Sequence, residues 1–491
     1  MANSLQSDFS GGMTPDVNVS ITPQNTVNLA LNVDFDSEIG SAVSRLGTTK
    51  IGAAGIVSGK TILGLVQHID IDTAGNNKLF ATLNVTNDAT SGIYDVIDGS
   101  ADVTGLTAST KMRSLTYNGA TLFINRANAE RSYTSAGWIT TGGAFDLANM
   151  PAGNLCIEFL DRVYIAGVTA TLTRLFYSGV SDGSTVSWTS GNGYVDIEAE
   201  DGGGPITALG KVPGYILVFK ERSMHRWNFS SAFPESLIQI GTPSQESVVM
   251  GGGLCAFYSN SNEGAKGFYI TNGGRPQCIS QDNNRPIKKW VDAIASATEA
   301  NIAGWATDRY FCWCVGDLTV DNEAYTNVVL KYNRLLNQWS VRTYPTEFRI
   351  FTNYLVSGVN TTAGGGTDAT VYQMDAPGIY TDASITTTKN FQWKVRQQHQ
   401  NFGTNKEKTL SGEVVVRGKN MIATKINAFV DEILDPISLT QKISKKVLSV
   451  FGIGKTVKGT TISIEVAGES TPQAILREIE VANVTGVDKY M

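Results

Sequence analysis

The chain is poor in cysteine, in histidine and in charge, and each scarcity removes a class of protein. Five cysteines in 491 residues (Cys156, Cys255, Cys278, Cys312 and Cys314) are an odd, widely scattered set. That pattern fits free thiols in a reducing compartment, not a disulfide framework. Cys312 and Cys314 flank Trp313, so alternation puts both on one face of a strand. No second Cys or His pair stands at zinc spacing, and the two read as core packing with no metal. Only His68, His225 and His399 are available as imidazole bases. Charged residues make up 17 %, and the formal net charge of −6 argues against a protein that wraps nucleic acid by neutralising phosphates. No run approaches the roughly 18 apolar residues of a membrane span. The first residues, Met1–Gly12, lack the basic start and apolar core of a signal peptide. A soluble chain with no cofactor is expected.

What is abundant is glycine, 50 residues against 13 prolines, together with short aromatic runs and 42 % hydrophobic residues. This is a folded, turn-rich, β-leaning composition. The stretch from Asp161 to Phe229 displays the unit most clearly. A short apolar strand (Arg162–Ala166) leads to a second (Arg174–Tyr177) and a third bearing Trp188, and after a Gly-rich link the next begins at Gly214–Phe219. The leading strand recurs at Lys78–Phe80, Thr121–Ile124, Arg162–Ile165, Tyr215–Phe219, Leu254–Tyr258, Arg309–Trp313 and Tyr354–Val356. The intervals between their aromatics are about 43, 41, 55, 38, 54 and 43 residues, the size of a four-stranded propeller blade. A mainly β fold is therefore expected: a β-propeller of six or seven blades over residues 61–388, an N-terminal arm with lead-in strands over 1–60, and a C-terminal β-sandwich-like domain over 389–491.

Several stretches carry narrower expectations. Met1–Asn25 is polar and reads as an arm that is disordered alone or lies along a partner. Lys50–Gly52 looks like a lead-in to the first repeat. Ile287–Ala300 places Trp290, Ile294 and Ala297 on one helical face and reads as a helix lying across the ring. Thr361–Thr367 reads as a flexible loop tip. After about Thr388 the rhythm changes to longer strands at Glu413–Arg417, Lys425–Val430, Lys446–Phe451, Thr461–Val466 and Ile475–Val481, the texture of a sandwich. Charge divides at the same place. Residues Lys389 to Lys458 hold 13 Lys and Arg against 5 Asp and Glu, a surplus of 8 that leaves −14 on the rest. That segment is a solvated basic face or one that docks on an acidic neighbour.

Catalytic signatures fail on context. Gly179–Gly183 matches G-x-S-x-G, but a nucleophile elbow needs a helix after the turn, and Thr185–Trp188 reads as strand. Gly452–Thr456 resembles the end of a P-loop, yet the leading glycine is replaced by Ser449 and the surroundings read as strand. Ser181–Trp188 loosely resembles the Asp-box turn of sialidase propellers with the spacing altered, and a glycosidase needs two carboxylates at a set separation. Asp196, Glu198 and Glu200 alternate along one strand and form an acidic face. It is a solvated face, a calcium site, or the lining of a passage that keeps DNA from sticking.

With the repeats in place, Val195–Glu198, Asp201–Gly204, Ile206–Leu209, Pro213–Lys220 and Ser223–Trp227 resemble the tail nozzle and tail-hub (tail tubular protein B-like) proteins of short-tailed bacteriophages. So do Asn118–Gly119, Asp161–Tyr164, Asn327–Tyr332 and the stretch Asn32–Gly47 with its Arg45-Leu-Gly47 ending. The likeness spans most of residues 25–390 and, more loosely, the C-terminal domain. It implies a non-enzymatic virion part, assembled in the host cytoplasm and carried in the tail. Such a part is a homohexameric ring that encloses the DNA exit channel, passes genomic DNA without sequence-specific contacts, and docks the head–tail adaptor and tail fibres or tailspikes. The alternative is a carbohydrate-binding or sialidase-like propeller acting on host surface glycans, and a third is a cellular propeller scaffold for peptides.

Overall fold

The computed structural model describes all residues except 1, 16–22, 24, 37, 39, 54, 71–76, 84–90, 108–110, 199–201, 232, 262–263, 282–285, 357, 401–406, 411–412, 421–423, 431–436, 445–447, 453–456, 460 and 488–491. Short runs of β-branched and aromatic residues broken by tight turns fold into seven antiparallel blades of four strands, six of them separate sheets and one, blade 6, part of a ten-stranded sheet. Blade 1 is Gly64–His68, Lys78–Leu83, Gly92–Asp95 and Ala101–Thr104. Blade 2 is Arg113–Tyr117, Ala120–Ile124, Arg131–Thr134 and Gly137–Ile139. Blade 3 follows with Leu155–Phe159, Arg162–Ala166, Arg174–Tyr177 and Gly193–Asp196. Blade 4 comprises Ile206–Val212, Tyr215–Lys220, Met224–Trp227 and Glu235–Ile238. Blade 5 comprises Val249–Gly251, Leu254–Ser259, Gly267–Thr271 and Gln277–Cys278. Blade 6 is built from Ala303–Ala306, Tyr310–Val320, Glu323–Asn333 and Gln338–Thr343. Blade 7 takes three strands in order, Phe348–Val356, Val359–Gly366 and Val371–Met374, and its fourth, Thr49–Ile51, from the other end of the chain.

The first strand of each blade packs beside the first strand of the next, and that of blade 7 beside that of blade 1, so the ring is closed. Alternation explains the packing. In blade 2, Leu122 and Ile124 face blade 3 while Phe123 between them joins the core shared with blade 1. In blade 4, Ile216 and Val218 face blade 3, and Leu217 and Phe219 face blade 5. Asn118 and Gly119, both at positive φ, make the two-residue turn that joins the first two strands of blade 2.

The structure resolves the repeat into seven blades and shifts its register. Six of the seven leading strands named above are the second strand of their blade, and Tyr354–Val356 is the end of the first strand of blade 7. Gly64–His68 and Ala303–Ala306, the innermost strands of blades 1 and 6, mix Gly, Ala and polar residues with their apolar ones and stand out less in the sequence than the second strands do. Lys50 belongs to the closing strand of the last blade and is no lead-in to the first. Val186 and Trp188 are buried but lie outside any strand; the fourth strand of blade 3 comes later, at Gly193–Asp196. Thr361–Gly366 is strand, not a loop tip. Its glycines serve packing, since a Cβ on Gly364 would come within 2.9 Å of the Phe351 ring and one on Gly365 within 2.6 Å of Ile62. The expected helix is one short turn, Lys288–Asp292, followed by a 3-10 segment, Ser296–Asn301, because the backbone is extended at Ala295. Trp290 and Ile294 are buried as the spacing predicts, with Trp290 against Tyr325 of blade 6 and not across the ring.

The N-terminal segment is no free arm. Ala2–Gln6 pairs with the last strand, Ile475–Val487, and Phe9 and Met13 are fully buried. Thr26–Leu31 pairs antiparallel with Gln392–Gln397 and, at Leu31, parallel with Val341 of blade 6. Blade 6 thereby runs on as one ten-stranded sheet into the C-terminal domain, through Ile462–Glu469 and Lys425–Val430. A second sheet of nine strands includes Val33–Asp34, Ala42–Ser44, Glu413–Lys419 and Leu448–Gly452. A single hydrophobic core runs from blade 5 through blade 6 to the sandwich, from Val249 through Trp313 to Val481. The boundary expected near Thr388 falls in a two-stranded hairpin, Asp382–Ala383 with Thr388–Lys389, between blade 7 and the sandwich.

At that junction Arg45 is completely buried and paired with Asp382 at 2.6 Å, its side-chain exposure 0 % against 2 % for the partner. Beside it Arg342 holds Asp34 and Asp375, and Lys331 also reaches Asp34 at 2.7 Å. Burial disfavours the Asp34 carboxylate, but Arg342 and Lys331 outweigh that and hold its pKa far below the usual range. Arg45→Met strands the Asp382 charge and is expected to cost about 3–5 kcal/mol in urea unfolding. Arg174→Met, which breaks the exposed pair with Asp196, is expected to leave the urea midpoint nearly unchanged.

Candidate functional site

Asp196 ends the fourth, outermost strand of blade 3, on the rim of the propeller. It is exposed and held by Arg174 through two bonds of 2.7 and 3.1 Å. Glu198 is also exposed but lies past the strand, with buried Ile197 between the two, and Glu200 lies outside the described residues. Of the three carboxylates, the two that are described are both exposed, Asp196 ion-paired at the strand end and Glu198 past it. Among the described residues no group of three or more His, Cys, Asp or Glu is arranged to hold a metal.

The other sequence signatures resolve into turns and core. Ser181 of the G-x-S-x-G stretch accepts a bond from Asn118 at 2.8 Å, and Asp182 caps its own turn by accepting the N–H groups of Ser184 and Thr185, both at 2.8 Å. His68 sits in blade 1 against Thr121, and His225 in blade 4 against Ser223, so neither reaches Ser181. Of the P-loop-like stretch, Gly452 ends a strand and the rest lies outside the described residues. Cys312 and Cys314 share one core face between blades 6 and 7, and burial pushes their thiols up to about 12 and about 11. Part of the basic surplus does dock on an acid: Lys394 and Arg396 of the sandwich meet Glu323 on the long hairpin of blade 6.

Sequence reading missed the cluster that closes the propeller axis. The connection into blade 5 makes a 3-10 turn, Gln245–Ser247, which carries Glu246. Glu246 binds Lys111 and Arg113, at the start of blade 2, each at 3.1 Å. In a ring of seven, blades 2 and 5 are separated by two blades on one side and three on the other, so these bonds cross the central opening. The turn is pinned on both sides. Gln245 takes the N–H of Leu209 at 2.7 Å and returns a bond to its carbonyl at 3.0 Å, while Trp313 of blade 6 donates to the Ser247 carbonyl at 2.9 Å. No spacing signal could have revealed a cluster whose members are 133 and 135 residues apart.

Two open cavities flank these features. One of about 440 Å³ lies beside the Glu246 bridge. The other, of about 480 Å³, lies between blade 6 and the sandwich, next to Asp382 and Lys394. Fold and site together define a seven-bladed β-propeller whose axis is spanned by an ion bridge, joined by one continuous sheet to a β-sandwich. No family model matches the chain, and no curated protein sequence matches it. Solved structures that resemble it include YCF48 from Cyanidioschyzon merolae (9 % identity, 67 % of this chain and 98 % of that one, TM-score 0.38). The N-terminal domain of Nup159 is similar at 10 % identity over 70 % of this chain and 98 % of that one, TM-score 0.37. The Pan2 WD40 domain of Neurospora crassa is similar at 9 % identity over 65 % and 95 %, TM-score 0.33. Likeness at this level assigns no function.

Burial would raise the Glu246 carboxyl, but the facing Arg113 and Lys111 overcome that and bring it from 4.5 to about 2. A carboxyl depressed on folding contributes stability in full above its unfolded value, and the contribution is lost as pH falls through the folded one. Thermal stability is therefore expected to drop between pH 4.5 and about 2, and Glu246→Gln to flatten that part of the profile. Identical profiles for the two proteins in circular dichroism melts contradict the bridge.

Proposed function

We propose that this chain is a structural wall subunit of a bacteriophage tail, the nozzle or hub ring that encloses the DNA exit channel. It docks to the head–tail adaptor on one side and to tail fibres or tailspikes on the other, and it performs no catalysis of its own. The observation that carries this reading is mechanical. Blade 6 and the sandwich share one sheet, the N-terminal segment threads both, and a buried ion cluster locks the seam. A chain built this way transmits load as one piece. Because Glu246 bridges the propeller axis, any passage for DNA is enclosed between chains and does not run through one. The net charge of −6 disfavours tight phosphate contacts along such a passage.

The purified protein is expected to form rings of six in electron micrographs and to be found in purified virions. A monomer that binds or hydrolyses host glycans supports the sialidase-like alternative and sinks the wall reading. If the blade 3 rim faces the channel, replacing Asp196, Glu198 and Glu200 together with alanine is expected to slow DNA ejection measured by dye release. Unchanged ejection removes the rim from the channel lining and leaves the ring reading to the micrographs.

A further inference from the structure

The cavity of about 440 Å³ beside the Glu246 bridge is walled by the starts of the first strands of blades 2, 3 and 4 and by the turns that follow the second strands of blades 2 and 3. Its charged lining is Lys111, Arg113, Arg126 and Glu246, three cations against one carboxylate. Glu246 is already committed to Lys111 and Arg113, and Arg113 spends a further donor on the Asn154 carbonyl at 3.0 Å. Arg126 differs. It is exposed, and it donates to the Gly167 carbonyl at 3.0 Å across the gap between blades 2 and 3.

The backbone of Arg126 is left-handed, φ 63°, a conformation that disfavours any side chain with a Cβ. The turn holds it there: the buried Asn125 accepts the N–H groups of Ala127 at 3.2 Å and Asn128 at 2.9 Å. A guanidinium placed at this cost, in a cavity whose walls include Leu172 and Ile206, matches the usual form of a ligand site, apolar walls with a few fixed polar groups. The charge excess selects an anion. A nucleic acid needs an extended positive surface, whereas the chain outside residues 389–458 carries −14 overall. A short segment with one or two carboxylates meets the local cations without that wider repulsion.

We propose that this cavity binds an acidic peptide segment of a partner protein, with a carboxylate on Arg126 beside Lys111 and a neighbouring apolar side chain against Leu172 and Ile206. The site is independent of the tail reading, since it asks only for a protein partner. The test is selection of the full-length chain against a yeast-displayed library of random short peptides, followed by fluorescence anisotropy with the recovered peptides. Recovered sequences are expected to be enriched in Asp or Glu next to an apolar residue. Their affinity is expected to fall about tenfold or more in Arg126→Gln and on replacing the peptide carboxylates by amides, and to weaken in about 0.5 M salt. Arg275→Gln, an exposed cation in a turn of blade 5, is expected to leave binding unchanged. The amide peptides keep the test decisive even if Arg126→Gln folds poorly. A library without acidic enrichment, or acidic peptides indifferent to Arg126→Gln, overturns the site. A DNA duplex that displaces the peptides at equal concentration overturns the assignment to protein and points to nucleic acid.

Discussion

Everything in the architecture meets at one guanidinium. Arg45 uses all five of its N–H donors: Nε to the Asn32 side chain, Nη1 to the Leu46 carbonyl and Asp382, Nη2 to the Thr343 carbonyl and Asp382. Its flat faces are covered by the rings of Tyr344 and Phe391, 4.2 and 3.8 Å from the ring centres. These partners come from the N-terminal segment, the end of blade 6, the linker after blade 7 and the edge of the sandwich. A charge this deeply buried is tolerable only when every partner is in place. The N-terminal segment, the propeller and the sandwich are therefore constrained to assemble together. Gly47, two residues on, permits the close approach this needs, since a Cβ there would sit 1.9 Å from the Thr381 carbonyl oxygen.

The second cluster repeats the logic one step along the sheet. Arg342, in the last strand of blade 6, grips Asp34 from the N-terminal segment with one edge and Asp375 at the end of blade 7 with the other. Since Thr49–Ile51 then closes blade 7, the N-terminal 50 residues clamp the sandwich to blade 6 and complete the ring. Closing the ring buries the flat faces that the first and last blades of an open array would present. Pairing strands from opposite ends of the chain also makes the fold rich in long-range contacts, which is slow to form. The gain is a body in which propeller and sandwich share a core.

How much of this was legible depends on whether a feature is local. The blades were, because residues such as Leu122, Phe123 and Ile124 alternate between two buried faces and are spelled out in consecutive letters. All five sandwich strands named from the sequence lie on or overlap observed strands for the same reason. The arm was misread because polar Met1–Asn25 has few apolar residues, and Ala2–Gln6 finds its sheet partner only in the last strand, about 470 residues later. The Gly364–Gly365 run was misread because flexibility and tight packing against an aromatic ring look alike in sequence. The Glu246 cluster was invisible, as its members meet only after the ring has closed.

The ion bridge across the axis also bears on how such a chain can associate. A propeller whose central opening is crossed by fixed ion pairs offers partners its faces and its rim, not its bore. In a ring of identical chains each contact is heterologous, one surface of a subunit meeting a different surface of the next. Association of that kind needs two unlike faces on one rigid body. Along the sequence the charge divides unevenly, with a surplus of 8 positive charges over residues 389–458 against −14 on the remainder. Rigidity keeps the two apart: were the sandwich free to swing, its Lys and Arg residues would be drawn to the acidic propeller of their own chain. Lys394 and Arg396 have already met Glu323 across the seam. The locked junction around Arg45 thus limits how many of the remaining cations a chain can neutralise internally.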